Sequence, residues 1–175
     1  MDYEPVLKKF RKNKIAEPEQ MPVRLDFCRD DIKKIIPHRD PFLLIDKLTG
    51  IDPENEIICG EAFIDPELPL FQGHFPEYPV YPGCLQIEMT GQLGLCMYYF
   101  ISNNTSEIKP GFKIPDIRAS KVLGAHYLAP VEPGNTVQII AKKLESDDYF
   151  ASVLGQIAVN GKITCAAISE VCFLD

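Results

Sequence analysis

Two side chains fourteen positions apart, His74 and Glu88, carry the acid–base chemistry that this sequence offers. His74 lies in Gly73-His74-Phe75-Pro76, and the chain then runs through Tyr81-Pro82-Gly83 into the apolar segment that holds Glu88. A neutral imidazole is available near pH 7, which makes His74 a natural general base. A carboxyl set in apolar surroundings is expected to have its pKa raised by desolvation, so Glu88 is read as an uncharged acid able to protonate a leaving group. No basic residue lies near it in sequence, and an unpaired buried charge would be costly. Gln92, one helical turn on, is placed to hold Glu88 through an i,i+4 hydrogen bond. A helix starting at Gly83-Cys84 would offer free backbone N–H groups and a positive dipole end to a polarised oxygen. Glycine at 83 would allow close approach. Cys84 is offered as a backbone donor, not a nucleophile. A lone loop histidine is ordinarily structural; the Pro-Gly turn and buried glutamate that follow set His74 apart. His38, in a proline-rich turn, and His126 lack such a setting, and both are read as packing or hydrogen-bonding residues.

The elements that must position this pair are a rigid loop and a buried helix. Pro66, Pro69, Pro76, Pro79 and Pro82 fall within residues 66 to 82. Each fixes φ and removes a donor, so the loop is neither helix nor central strand. From Cys84 to Ile101 proline is absent, and Leu85, Glu88, Met89 and Gln92 keep the spacing of one helix face. Apolar residues fall on every face, the pattern of an enclosed helix. A bilayer span of about 18 to 20 residues is the competing reading. Glu88, Gln92, Gly91 and Gly94 inside the run and the lack of a flanking basic cluster speak against it. The two glycines are expected to let strands approach the helix backbone.

Around these, Asp30 or Asp31 can cap a short helix ending at Ile36, stopped by Pro37. Phe42-Leu43-Leu44-Ile45 reads as a strand buried on both sides, and Ile57 to Ile64 as its antiparallel neighbour. A strand is predicted around Ala119 to Leu128. A meander then runs from Thr136 to Leu144, from Tyr149 to Val159 and from Lys162 to Phe173. Its last turn is Asn160-Gly161, where both positions tolerate positive φ. One antiparallel sheet curled around a central helix, in the α+β class, follows from this order. Residues 1–26 read as an extension with a short helix near Glu4 to Lys14, and 27–175 as the domain proper.

Composition narrows the partners. Residues 1 to 14 hold five basic side chains against Asp2 and Glu4, a balance of +3, so the overall charge of −7 leaves −10 for the rest. Such a body repels a phosphate backbone, and nucleic acid is not an expected partner. The basic patch reads as a solvated face. Six cysteines without C-x-x-C spacing, mostly in apolar runs, suit a reduced cytoplasmic protein, and no metal site is expected. No apolar stretch near the start marks a secretory signal.

Four segments together resemble the (3R)-hydroxyacyl-[acyl-carrier-protein] dehydratases of the FabZ type. They are Ile36-Pro37-His38-Arg39 through Pro41-Phe42-Leu43-Leu44-Ile45-Asp46; Gly73-His74-Phe75-Pro76 through Pro79-Val80-Tyr81-Pro82-Gly83; Glu88 with Gln92; and Pro130 to Gly134. The resemblance spans roughly residues 27 to 175 and implies the hotdog fold. It also implies catalytic residues His74 and Glu88 meeting across a dimer interface, and substrate contacts at Gly83, Cys84, Gln92 and Phe75. The implied reaction removes water from a (3R)-3-hydroxyacyl thioester to leave the trans-2-enoyl thioester, in fatty-acid or related lipid or polyketide synthesis. No cofactor is implied. An acyl carrier protein bearing a phosphopantetheine-linked acyl chain is the implied partner, with no membrane insertion, in a homodimer or a trimer of dimers. Two departures stand out. Glu77 replaces a frequent glycine, and His126-Tyr127-Leu128-Ala129 replaces a basic carrier-receiving segment, with Arg118 and Lys121 as upstream substitutes. A hotdog thioesterase and a non-catalytic carrier-binding subunit are the alternatives.

Overall fold

The computed structural model describes residues 2–174, so positions 1 and 175 of the two expected units lie outside it. Local signals set the C-terminal half. Strands β5 (Thr136–Ser146), β6 (Phe150–Val159) and β7 (Lys162–Phe173) pair as an antiparallel meander. Asn160 and Gly161 both take positive φ, 49° and 79°, at the predicted hairpin turn. β4 (Ile117–Tyr127) adds to β7 as one sheet edge. On the other side lie β3 (Ile57–Phe63), β2 (Lys47–Asp52) and β1 (Val23–Cys28), giving a seven-stranded sheet in the order β1-β2-β3-β5-β6-β7-β4. With α1 (Glu4–Phe10) on its outer face and α2 (Arg29–Ile32) beside the β1 edge, this sheet curls around α3 (Gly83–Ser102). The fold is α+β, the wrapped-helix arrangement expected of a hotdog.

The two-residue period of the strands decides what faces the helix. Gly60, Ile139, Ile157, Cys165 and Tyr127 form one row across five strands. Ile139, Ile157 and Cys165 share a core cluster with Met89, Leu93, Cys96 and Phe100 of α3. The adjacent row, Cys59, Ile140, Gln156, Ala166 and His126, faces outward. There the N-terminal segment covers it. Leu7 of α1 is buried against Leu154 and Ile168, and its Cδ1 sits where a side chain on Gly124 would stand. Gln156, only 1% exposed, accepts from Ile15 N–H at 2.8 Å and donates to the carbonyls of Asn13 (2.8 Å) and Phe10. Ile15, Ala16 and Met21 then pack on Cys59 and Ile140. β1 begins at Val23, inside the stretch that the sequence assigns to the extension.

Three local expectations are corrected. Phe42-Leu43-Leu44-Ile45 is a loop, not a strand, and β2 starts only at Lys47. The reason is that its backbone is satisfied by a side chain: Gln92 accepts from Leu44 N–H at 2.9 Å and donates to Phe42 O at 2.8 Å. The short helix near Ile36 ends at Ile32 with a trailing turn, and its N-cap is Cys28, whose N–H donates back to Asp31 at 3.3 Å. The close approach of strand to helix is made mainly at Gly155, where a Cβ would lie 2.5 Å from Thr90 Cγ2, and at Gly94 against Val153; Gly91 faces open space. Among the described residues, no helix is long and apolar enough to cross a membrane.

Gly155→Ala is therefore expected to destabilise by about 1–3 kcal/mol or more, through overpacking against α3. Gly91→Ala should be neutral or stabilising by up to about 1 kcal/mol, since helix propensity rises without a clash. Denaturant melts of the two variants beside the parent check both signs.

Candidate active site

The loop from Gly73 to Pro82 is held by backbone hydrogen bonds within itself and to the turn before it. His74 N–H donates to Leu70 O (3.0 Å), and Val80 N–H donates to His74 O (3.0 Å). His74 Nδ1 lies 2.8 Å from Val80 O. A carbonyl can only accept, so Nδ1 carries the proton and Nε2 is left with the basic lone pair. Phe75, 53% exposed, stacks its ring on the imidazole at 4.3 Å. The peptide joining His74 and Phe75 is cis.

Tyr81 N–H donates to Val131 O at 2.7 Å, which ties the loop's exit to the Pro130–Gly134 segment. Pro82 then acts as N-cap of α3. The N–H groups of Leu85 and Gln86 both turn back to Pro82 O, at 3.1 and 3.3 Å. Gly83 and Cys84 remain as the first-turn donors without an intrahelical acceptor. Glycine at 83 lets the exposed Tyr127 ring lie against the start of the helix: a Cβ there would stand 2.5 Å from Tyr127 Cε1 and push the ring aside. His74, Gly83, Cys84, Tyr127 and Leu128 line a cleft of about 560 Å³ that contains no basic side chain other than the imidazole.

Glu88 sits five residues into α3, roughly 7 Å along the axis from Gly83. It is half-buried and doubly contacted on one oxygen. Gln92 Nε2 donates to Oε1 at 3.0 Å, and His38 Nε2 lies 3.3 Å from the same atom. The hydrogen bond from His38 is the largest influence on the carboxyl and lowers its pKa; desolvation opposes it, and Gln92 reinforces it. The uncharged Glu88 expected from burial alone is thereby corrected: in one protomer the group is held as a carboxylate. The partner that sequence proximity does not supply is His38, fifty residues upstream, a residue whose proline-rich setting reads as structural. The signal that could have found it is its place in the same shared segment as Phe42 and Leu44, the residues whose backbone Gln92 grips.

The loop carrying His38 is itself anchored. Arg29 bridges Asp40 and Asp46 (the latter at 2.7 Å) and donates to Leu43 O at 2.7 Å; Lys33 reaches Asp40 at 3.0 Å. Arg29 and then Lys33 draw the Asp40 carboxyl down to about 2. Within one protomer no hydrogen bond or ion pair among the described residues joins His74 to Glu88. The structure brings His74, Gly83 and Cys84 to one cleft, with Phe75 stacked on the imidazole but outside the cleft lining, and Glu88, Gln92 and His38 to the next turn of the helix. His126 lies in β4, in the outward row.

Residues 36–168 match the family described as a FabA-like domain. The 3-hydroxyacyl-[acyl-carrier-protein] dehydratase FabZ of Oceanobacillus iheyensis is 33% identical over 138 residues, covering 79% of this chain and 92% of that protein. Its counterpart from Geotalea uraniireducens is 30% identical over 146 residues, covering 83% and 96%. In three dimensions the chain is similar to the dehydratase heterocomplex ApeI:P from Xenorhabdus doucetiae, with a TM-score of 0.58 at 16% identity over 82% of this chain and 91% of that one. A mutant thioesterase from Pseudomonas aeruginosa gives 0.52 at 14% identity, over 73% and 80%. At such low identity these two likenesses speak for the fold. The match over most of the chain, together with the identity to full-length relatives, establishes that this protein belongs to the FabA-like domain family, among its FabZ-type members.

Proposed function

We propose that this protein is a (3R)-3-hydroxyacyl-[acyl-carrier-protein] dehydratase that forms the trans-2-enoyl thioester, with His74 and Glu88 contributed by opposite subunits of a homodimer. The observation that carries the proposal is that a basic imidazole nitrogen, free helix N-terminal donors and an anchored carboxyl lie along one short stretch. The imidazole and the carboxyl of the same protomer nevertheless do not pair. In this reaction His74 Nε2 takes the α-proton, and the electron pair forms the Cα=Cβ bond. Glu88 protonates the departing C3 hydroxyl, which leaves as water. The N–H groups of Gly83 and Cys84 receive the thioester oxygen as it becomes enolate-like.

The ionised Glu88 fits a reversible reaction. A carboxylate beside an imidazolium is the form that hydrates the enoyl product; the proton on Glu88 beside a neutral imidazole is the form that dehydrates. Both hold one proton between the two groups. An acyl chain lying over Glu88 adds desolvation, which works against the influence of His38 and favours the protonated carboxyl.

The acyl carrier protein is the proposed donor, and a cytoplasmic setting suits the six free thiols. The two cations upstream of the cleft are already engaged, Arg118 by Asp116 and Lys121 by Glu170 (3.4 Å). Carrier docking therefore relies on the exposed apolar rim of Tyr127 and Leu128 more than on charge.

His74→Ala and Glu88→Gln should each lower kcat by about 10²- to 10⁴-fold on 3-hydroxybutyryl thioesters, followed by enoyl absorbance, with the melting temperature kept. Near-normal turnover by both would reject the proposal, and free-thiol release without enoyl formation would point to a thioesterase. Subunits of the two inactive variants, unfolded together and refolded as mixed dimers, should regain about a quarter of the parent activity, because half the dimers are hybrid and each holds one intact site. No recovery would sink the shared site. The pH profile of kcat/KM should be bell-shaped. Its acid limb reports Glu88 and should lie below the ordinary glutamate value of 4.5, because the lowered pKa means the second proton is taken up only at more acidic pH.

A further inference from the structure

We infer that His38 is a positioning residue for the proposed dehydration: together with Gln92 it anchors Oε1 of Glu88 from within the protomer and leaves Oε2 as the oxygen that exchanges the proton. The inference rests on the function proposed above, and it concerns a residue outside the imidazole–carboxyl pair.

The two oxygens of Glu88 are unequal. Oε1 receives Gln92 Nε2 at 3.0 Å and faces His38 Nε2 at 3.3 Å, while Oε2 has no protein partner among the described residues. Both anchors are referred to one loop. The Gln92 amide that grips Oε1 also spans Phe42 O and Leu44 N, and His38 stands on the same loop, its ring beside that of Phe42 at 6.3 Å and 28°. Arg39 holds the turn by donating to Ile36 O (2.9 Å) and His38 O (2.7 Å). The carboxylate can thus rotate only by breaking contacts to a loop that Arg29 and Lys33 fix through Asp40.

Chemistry assigns the tautomer. An ionised carboxylate oxygen only accepts, so His38 Nε2 bears the hydrogen. His38 Nδ1 is buried and, among the described residues, has no partner. A bare lone pair there is easier to bury than an unmatched N–H, so the Nε2–H tautomer is the one that suits the site. His38 therefore serves Oε1 as a hydrogen-bond donor. In dehydration the Oε2–H bond of Glu88 and the C3–O bond break as water leaves, the α-proton passes to His74, and Oε1 stays hydrogen-bonded. Facing Glu88 within the protomer are His38 from the loop and the uncharged Gln92 from α3, and the proposed dimer adds the partner's His74.

The test uses His38→Phe, which keeps the ring volume without a donor, and His38→Gln, which restores an N–H near the Nε2 position. The Glu88 carboxyl is followed by NMR titration of 13C-labelled protein, alongside kcat, KM and pH profiles on 3-hydroxybutyryl thioesters. His38→Phe should raise the Glu88 titration midpoint, move the acid limb to higher pH, and lower kcat roughly tenfold to a hundredfold with KM little changed. His38→Gln should recover most of the loss. An unshifted Glu88 midpoint in folded His38→Phe, or in His38→Ala should the Phe variant not fold, overturns the anchoring. A shifted midpoint with unchanged kcat overturns the positioning role. The midpoint is measured without substrate, so absence of turnover in the parent would reject the dehydratase proposal while the anchoring is still judged.

Discussion

A carboxylate must be kept on a helix that a sheet encloses, and this constraint shapes the region around the site. Glu88 occupies the second turn of α3, whose other faces are packed by Ile139, Ile157 and Cys165 from the sheet. A charge there needs donors, and the wrapped helix has few routes by which to receive them. The solution is a loop rather than a strand. Between Pro37 and Asp46 the chain stays irregular, spends two backbone groups on Gln92 and brings an imidazole to the carboxylate. Arg29, reaching across to Asp40, Asp46 and Leu43, replaces the rigidity that a ladder would have supplied.

Sequence revealed what is local. The Asn160-Gly161 turn, the meander on either side of it and the switch from proline loop to helix at Pro82-Gly83 all depend on residues within a few positions of one another, and they form where expected. What depends on distant partners was hidden. Phe42 to Ile45 has strand composition, but the group that completes its backbone is a glutamine nearly fifty residues later. Glu88 looked uncharged for the same reason: burial can be read from its neighbours in sequence, whereas the opposing imidazole arrives from another element. The closest helix–strand contact likewise depends on a glycine of β6, which the glycines within the helix run do not reveal.

The outer face shows a second consequence of the two-residue strand period. Each strand that supplies an apolar residue to α3 must turn its neighbour outward, and one of these neighbours is Gln156, a polar group in the middle of a broad sheet. Its amide is fully used by the backbone of residues 10 to 15. The segment thus meets a polar requirement of the sheet as well as covering Cys59 and Ile140.

That segment also runs across the strands instead of along them. It begins over β4, β6 and β7 at Leu7, passes Gln156, and ends at Met21 against Gly50 of β2, where it becomes the opposite edge strand. A curved sheet held only by its ladders can flatten by small rotations between neighbouring strands. A tie across the convex side, fixed at both margins and at mid-span, shortens the arc over which such rotations can add, and so helps preserve the width of the trough in which α3 and its carboxylate lie.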